Sequence, residues 1–373
     1  MSRIKKNILK AANSVLAPFG VVLDRAHYGR AELDPAFPMT RALCASGAFE
    51  QKAISLIDVG CAGGIDDCWR AFGLRLHAVG IDAMTDEVAR LAGREDNPNI
   101  RYLSALLSAA PGDSQARGRP GQAPPPENPW NRLSTAMAVE LRRTQPRSRQ
   151  EALRDNEWTL QQLSKRELPV AELFASEGIA ELDFLKIDID GPDYEVLVGF
   201  AQHLDRFAVL GVKAEVNFFG TAEDGTDSFH NTDRFLRRHG FQLFSLSTRK
   251  YSSAAMPAPF EGTALGPTSF GRVFQGDAVY FRDPAGDPGP TDLPPEKLLK
   301  LACMFELFGL PDCAAELLLR FNDRIGRPDL QRLLDLLVPD IDGTRLPYAQ
   351  HLARFRRDPR AFYRLPRKFL GVL

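Results

Sequence analysis

Between Ile54 and about Leu246, short apolar runs alternate with segments whose apolar positions recur at helical spacing. The runs have strand length, and several end on an acid or a glycine. This pattern predicts strands at 54–58, 77–81, 100–105, 183–189, 208–216, 241–247 and 277–282. Strand and helix in alternation imply βαβ units, so the expected fold class is α/β and Rossmann-like. It has a mostly parallel seven-stranded sheet with helices on both faces. The last two strands flank a Ser-, Pro- and Gly-rich excursion, 252–276, and are expected to form an antiparallel pair at the sheet edge.

The pattern fails in three places, and each failure suggests a boundary. Residues 111–150 hold Pro120, Pro124, Pro125, Pro126, Pro129 and Pro146 among few aliphatics, which reads as a long loop or lid. Within it Trp130, Asn131 and Ser134 are either substrate contacts or anchors for the loop. After Asp283 a Pro-, Gly- and Asp-rich linker leads to two helices. One carries the stripe Leu298, Leu301, Ala302, Phe305 and Phe308, and the other carries Ala315, Leu318 and Leu319. The hairpin has the look of one tetratricopeptide unit, but no period repeats. The expected organisation is a lead-in at 1–45, a main domain at 46–285 with an insertion at 109–150, and a linker with a C-terminal α-helical extension at 286–373.

Both ends of the chain are basic. Arg3, Lys5, Lys6 and Lys10 alternate with Ile4, Ile8, Val15 and Leu16, and no acid precedes Asp24. This describes a basic amphipathic helix, either touching a membrane surface or packed on the domain with its lysines in water. From His351 onward seven basic residues face one acid, Asp358, which suits a membrane, a protein partner or a solvated face. Over the whole chain the net charge is −1, so there is no global attraction to nucleic acid. Apolar content of 44% and charged content of 25% are those of an ordinary globular protein. Five cysteines without a C-x-x-C pair suggest neither a disulfide framework nor a zinc knuckle. With no signal-peptide core and no bilayer-length apolar run, the expected location is the cytosol, with peripheral contact at the inner membrane surface left open.

The candidate chemistry begins at Leu56–Gly64, an apolar strand that ends on Asp58 and breaks into a glycine loop. Gly60, Gly63 and Gly64 permit a sharp turn and are expected to leave room for a ligand against the main chain. A dinucleotide fingerprint requires glycine at 60, 62 and 65, where this chain has Gly60, Ala62 and Ile65. An acid before the loop also competes with a pyrophosphate for the same amides. The next strand ends on Asp82, placed to accept bonds from ribose hydroxyls. Two acids suit an adenosine with a cationic, phosphate-free tail, and S-adenosyl-L-methionine (SAM) is such a ligand. Asp58, Gly60, Cys61, Ala62, Gly64, Asp82, Ala83 and Ser108 are the candidate cofactor-binding residues. The bland alternative is a glycine turn with no ligand.

The second motif is Asp183–Gly199. With a two-residue repeat, Lys186, Asp188 and Asp190 share one strand face, where a buried parallel strand should be apolar. These charges need partners. Lys213 and Glu215 share a face of the following strand, so neighbouring strands would form a ladder of opposed charges at the carboxyl end of the sheet. Such a ladder is either reactive or a structural ion-pair network.

These residues resemble the FkbM-type methyltransferase family, whose hallmark is a Lys-Ile-Asp-x-Glu-Gly-x-Glu-x-x-x-Leu-x-Gly stretch downstream of a SAM-binding glycine loop. Lys186, Ile187, Asp188, Gly191, Leu197 and Gly199 match, while Asp190 and Asp193 replace two glutamates and Pro192 follows the glycine. The likeness runs from about Leu56 to Tyr280. It implies a class I methyltransferase fold, SAM as cofactor, and methylation of oxygen on a sugar, glycan or hydroxylated secondary metabolite. Asp188 is the first candidate for a group at the acceptor, followed by Asp190 and Glu215, with Lys186 orienting them. His230 is an alternative base. A divalent ion on Asp188, Asp190, Asp193 and Glu215 is disfavoured, because Lys186 and Lys213 would neutralise the cluster. Two other function classes compete: a non-catalytic module that assembles through its helical tail, and a nicotinamide-dependent oxidoreductase, which the broken fingerprint disfavours.

Overall fold

The computed structural model describes residues 36–109, 163–189, 192–218, 225–251, 272–286, 292–339 and 345–357. The expected N-terminal helix, the Pro-rich insertion with Trp130, Asn131 and Ser134, the 252–271 excursion, Asp190 and Gly191 lie outside these residues.

Among the described residues, nine strands form two sheets. In chain order they are β1 (Ile54–Val59), β2 (Leu76–Asp82), β3 (Ile100–Ser104), β4 (Leu106–Ser108), β5 (Glu167–Pro169), β6 (Phe184–Ile187), β7 (Gly211–Asn217), β8 (Gln242–Tyr251) and β9 (Arg272–Phe281). The main sheet has the order β3-β2-β1-β6-β7-β9-β8, and β4 and β5 pair separately. Pairing is parallel from β3 to β7 and antiparallel for β7 with β9 and β9 with β8. The last strand therefore lies inside the sheet, between β7 and β8, and β8 takes the edge. Numbered by order along the chain, the main-sheet strands run 3-2-1-4-5-7-6, the class I methyltransferase arrangement of a Rossmann-like sheet.

Helices cover both faces. On one side lie α3 (Val170–Ser176), α4 (Asp193–Gly199), α5 (Ala201–Arg206) and α6 (Phe229–Arg238), which bury Ile57, Leu185, Val212 and Tyr280. On the other side lie α1 (Pro38–Ala45), a 3₁₀ helix (Asp67–Arg75) and α7 (Pro295–Leu307), which bury Leu56, Phe184 and Phe281. The helix α2 (Thr85–Ala92) follows β2, and α8 (Pro311–Arg320), α9 (Asn322–Ile325), α10 (Leu330–Leu337) and α11 (Tyr348–Arg357) follow α7.

The stripe read from the sequence of α7 belongs to the core of the sheet. Leu298, Leu301, Ala302 and Phe305 are all fully buried. Phe305 and Phe308 contact Phe281 of β9 at ring-centroid distances of 5.1 and 5.3 Å, and Phe308 lies 5.1 Å from Phe184 of β6. Two ionic anchors reinforce the apolar contact. Asp183, wholly buried, accepts from Lys297 Nζ and Lys300 Nζ, each at 2.7 Å, and from the Ser55 amide at 2.9 Å. Glu306 accepts from the Met39 and Thr40 amides at the start of α1, at 2.9 and 2.7 Å, and from Thr40 Oγ1 at 2.7 Å. A carboxylate supplied by α7 thus satisfies helix-start amides of α1 that no local side chain caps.

Candidate active site

In an open α/β sheet, ligands bind beyond the carboxyl ends of the strands where the strand order reverses. Here that point lies between β1 and β6. From β1 the chain steps outward to β2 and β3, and from β6 it steps the other way to β7. The glycine loop leaves β1 at this place, and Asp188 leaves β6 beside it.

The loop is tightly bound. Gly60 N and Cys61 N donate to Ile81 O at 2.8 and 3.3 Å, and Gly64 N donates to Cys61 O at 2.8 Å. Gly63 N donates to Glu87 Oε1 at 2.9 Å, and the Glu87 carboxylate is gripped by Arg90. The Arg90 bonds and the Gly63 amide hold the Glu87 carboxyl down at about 2. Gly60 adopts φ +82°, and a Cβ there would stand 1.7 Å from the carbonyl oxygen of Asp188. The space at Gly60, expected to admit a ligand, is taken by the chain leaving β6. Gly63 alone among the three loop glycines has open space at its Cβ position. Gly60→Ala is expected to cost more than the roughly 1–2 kcal/mol of left-handed backbone strain, since β6 would also have to move; thermal unfolding measures it.

Cys61 is buried, with its Sγ 2.9 Å from a Cβ position at Gly80, and burial pushes its thiol well above the ordinary range. Its side chain belongs to the interior, which leaves the backbone as its contribution to the cleft. Ala62 is exposed, and Ala83 follows the end of β2. Asp82 accepts the Met84 amide through Oδ1 at 2.8 Å, which fixes its carboxylate at the strand exit. Nearby, Thr85 Oγ1 and Ser104 Oγ lie 3.0 Å apart. Ser108 is buried in β4 of the small sheet, which follows the Ala105 amide that donates to Asp82 O at 3.0 Å.

Lys186 stands near the carboxyl end of β6, between two neighbouring strands. Strand register places it between Asp58 on β1 and Lys213 on β7. Its Nζ donates to Asp58 Oδ1 at 2.8 Å and to Gly60 O at 3.2 Å, and lies 3.8 Å from Asp188 Oδ2. Both partners of the short pair are buried, with side-chain exposures of 11% for Lys186 and 2% for Asp58. Burial pushes the Asp58 carboxyl up against the opposing pull of Lys186. For Lys186 burial pulls downward, but the charge and hydrogen bond of Asp58, with Asp188 behind, outweigh it and the pKa rises. Asp188 is half-buried at the rim, where α/β folds meet their ligands.

The expected ladder forms with different rungs. β6 and β7 are neighbours, yet Lys186 is matched to β1, while Lys213 faces Asp66 at 3.8 Å. Glu215 is 6% exposed and accepts from Arg249 of β8 at 3.1 Å, and the same guanidinium reaches Asp277 of β9 at 3.0 Å. Strand order explains the difference: β9, inserted beside β7, brings a second acid to Glu215, and Arg249 reaches across to balance both. His230 is exposed on α6 with Nε2 3.5 Å from Ser228 Oγ. No group of three or more His, Cys, Asp or Glu able to hold a metal ion occurs among the described residues.

Three further contacts hold the segments around the strand exits. Asp193 opens α4 and accepts the Ile189 amide at 3.0 Å, which ties the end of β6 to the helix. Asn217 and Asp227 meet beyond the end of β7 at 2.9 Å. Glu87 clamps the glycine loop. Only Asp193 carried a usable signal, through its place in the second motif. A groove of about 740 Å³ lies among α8, α10 and α11, and none of its lining residues belongs to the strand exits.

The fold and the cleft define a methyltransferase-type Rossmann protein. Residues 96–243 match the family model described as Methyltransferase FkbM domain. Over that stretch, which is less than half of the chain, the sequence is similar to the FkbM methyltransferase domain. The matched stretch contains the Lys186 motif and begins after Asp82, so the glycine loop lies outside it. Among solved structures, the chain is similar to a magnesium protoporphyrin IX methyltransferase from Synechocystis PCC 6803 with bound SAM. That match has 10% identity and a TM-score of 0.28, and covers 76% of this chain and 98% of the other. A 1,6-didemethyltoxoflavin-N1-methyltransferase from Burkholderia thailandensis matches at 11% identity and a TM-score of 0.28, covering 76% and 92%. The fold assignment rests on the strand order itself. No curated protein matches. No helix among the described residues is long and apolar enough to cross a membrane.

Proposed function

We propose that this chain is a SAM-dependent methyltransferase that methylates oxygen on a sugar, a glycan or a related hydroxylated metabolite. The observation that carries the reading is the pairing of Asp58 and Asp82 at the exits of adjacent strands around a clamped glycine loop, at the point where the strand order reverses. The donor set suits a cationic adenosine. Asp82 is held ready to accept from ribose hydroxyls. The acids Asp58, Asp66, Asp82 and Asp188 outnumber Lys186 and Lys213, which favours a positive ligand over a phosphate.

When bound, SAM supplies an electrophilic methyl group on a sulfonium. The work of the protein is to hold the acceptor oxygen in line at near-attack distance, worth several kcal/mol of the barrier by proximity alone. Lys186 ties Asp58, the Gly60 carbonyl and Asp188 into one rigid floor. Asp188, at the rim, is the group placed to orient an acceptor hydroxyl or take its proton. Glu215, bound to Arg249, stiffens the wall formed by β7, β8 and β9. The C-terminal helices complete the core, so no assembly role is needed to account for them.

Calorimetric titration with SAM tests the cofactor half. Binding to the wild type is expected, and Asp82→Ala should weaken it by about 10- to 100-fold, the loss of charge-assisted hydrogen bonds. Absence of binding to the wild-type chain would sink the proposal. Mass spectrometry of metabolites and glycans after gene deletion tests the acceptor half, by the compound that loses one methyl increment.

A further inference from the structure

Beyond the end of β7, two side chains with no part in the proposed reaction form an incomplete pair. Asn217, the last residue of β7, donates through Nδ2 to Asp227 Oδ2 at 2.9 Å. The remaining oxygens of the same two groups, Asp227 Oδ1 and Asn217 Oδ1, are both buried, and neither meets a donor among the described residues. Buried polar atoms are nearly always satisfied, so two orphans on one bonded pair require a common explanation.

An ionised Asp227 gives none, because a carboxylate only accepts. A neutral acid does. A carboxylic acid and a primary amide pair through a ring in which the amide N–H meets one acid oxygen and the acid O–H meets the amide oxygen. The 2.9 Å bond fits one half of that ring, and a single proton on Oδ1 would supply the other half.

We infer that Asp227 is carried as the neutral acid and shares its proton with Asn217, a positioning pair that pins the end of β7 to the segment entering α6. The surroundings favour the neutral form. Burial is the largest influence, and the negative charges of Asp193 and Glu195 on α4 add to it, against the bonds from Asn217 and the Tyr194 amide; the balance lifts Asp227 to about 7. On α6, Arg234 is occupied with Asn231 Oδ1 at 3.0 Å, and His230 lies beside Ser228. On β7, Glu215 is held by Arg249. The shared proton joins the end of β7 to the segment entering α6, and the Tyr194 amide of α4 acts on the same carboxyl. That this edge forms the acceptor wall rests on the proposed function, but the shared proton does not.

Nitrogen-15 NMR of the Asn217 side-chain amide, assigned by its loss in Asn217→Leu, reads the proton directly in the wild-type chain. The amide shift is expected to titrate with a midpoint near 7. A flat shift between about pH 5 and 8 overturns the inference. Stability provides the second reading. A carboxyl whose folded-state pKa is raised stabilises fully below its unfolded value of 3.8, and that contribution is lost as pH rises through about 7. Asp227→Asn, whose carboxamide can complete the same ring, should therefore gain in Tm over the wild type as pH rises, on the order of 5 °C by about pH 8 and nothing near pH 4. A difference curve that is flat or inverted counts against the proton. If this variant does not fold, the Asn217 amide titration decides alone. Failure of the wild type to bind SAM would remove the acceptor-wall role and leave the titration standing.

Discussion

Replacing Lys186 with methionine is expected to lower folding stability by about 3–5 kcal/mol, because it strands a buried carboxylate. Asp58 is 2% exposed and its short ionic contact is Lys186 Nζ at 2.8 Å. Removing the ammonium leaves the charge without a cation in a medium where desolvation costs several kcal/mol. The Gly60 carbonyl loses its 3.2 Å donor at the same time, so the loop slackens as the floor weakens. Urea unfolding measures the loss. The double variant Asp58→Leu with Lys186→Met removes both charges and should recover most of the stability, since a buried ion pair is close to neutral against apolar residues of similar volume. It should not recover SAM binding. Single-variant stability equal to that of the wild type would refute the coupling, and restored binding in the double variant would show that Asp58 serves the fold alone.

The second large effect is expected at Asp183, where substitution by alanine should also remove about 3–5 kcal/mol. This carboxylate is wholly buried and neutralises Lys297 and Lys300, the latter only 1% exposed. Its loss strands a buried ammonium and frees the Ser55 amide at the start of β1. Against a total stability of about 5–15 kcal/mol, that is a third of the reserve or more. Denaturant unfolding and soluble yield report it. Lys300→Met should be nearly as damaging, and Asp183→Leu with Lys300→Met milder than either single change. If Asp183→Ala unfolds like the wild type, the link between α7 and the sheet is dispensable. For the same reason, removal of residues 290–373 is expected to unfold the domain rather than trim a tail, because it strips the cover from Phe184 and Phe281.

Much of the architecture could be read from residue pattern. Short apolar runs, several ending on an acid or a glycine, located all seven strands of the main sheet, although β8 and β9 extend beyond the expected spans. The second motif marked β6 because charges stood where a buried strand should be apolar. The antiparallel pair was also visible, through the excursion between its strands. The small β4–β5 sheet was missed, since three-residue strands carry too little periodicity to register.

What the sequence determined by itself is which residues share a face, where the chain must turn sharply, and which charges a strand carries inward. Those follow from the two-residue repeat and from the steric freedom of glycine, both local properties of the backbone. Only the tertiary structure decided the partners. Lys186 found Asp58 because β1 lies beside β6, and Glu215 found Arg249 because β9 entered beside β7. Asp227 met Asn217 across a loop, and α7 became one wall of the core. Each of these depends on strand order and layer stacking, which join residues far apart in the chain through burial and charge neutralisation that no local pattern encodes.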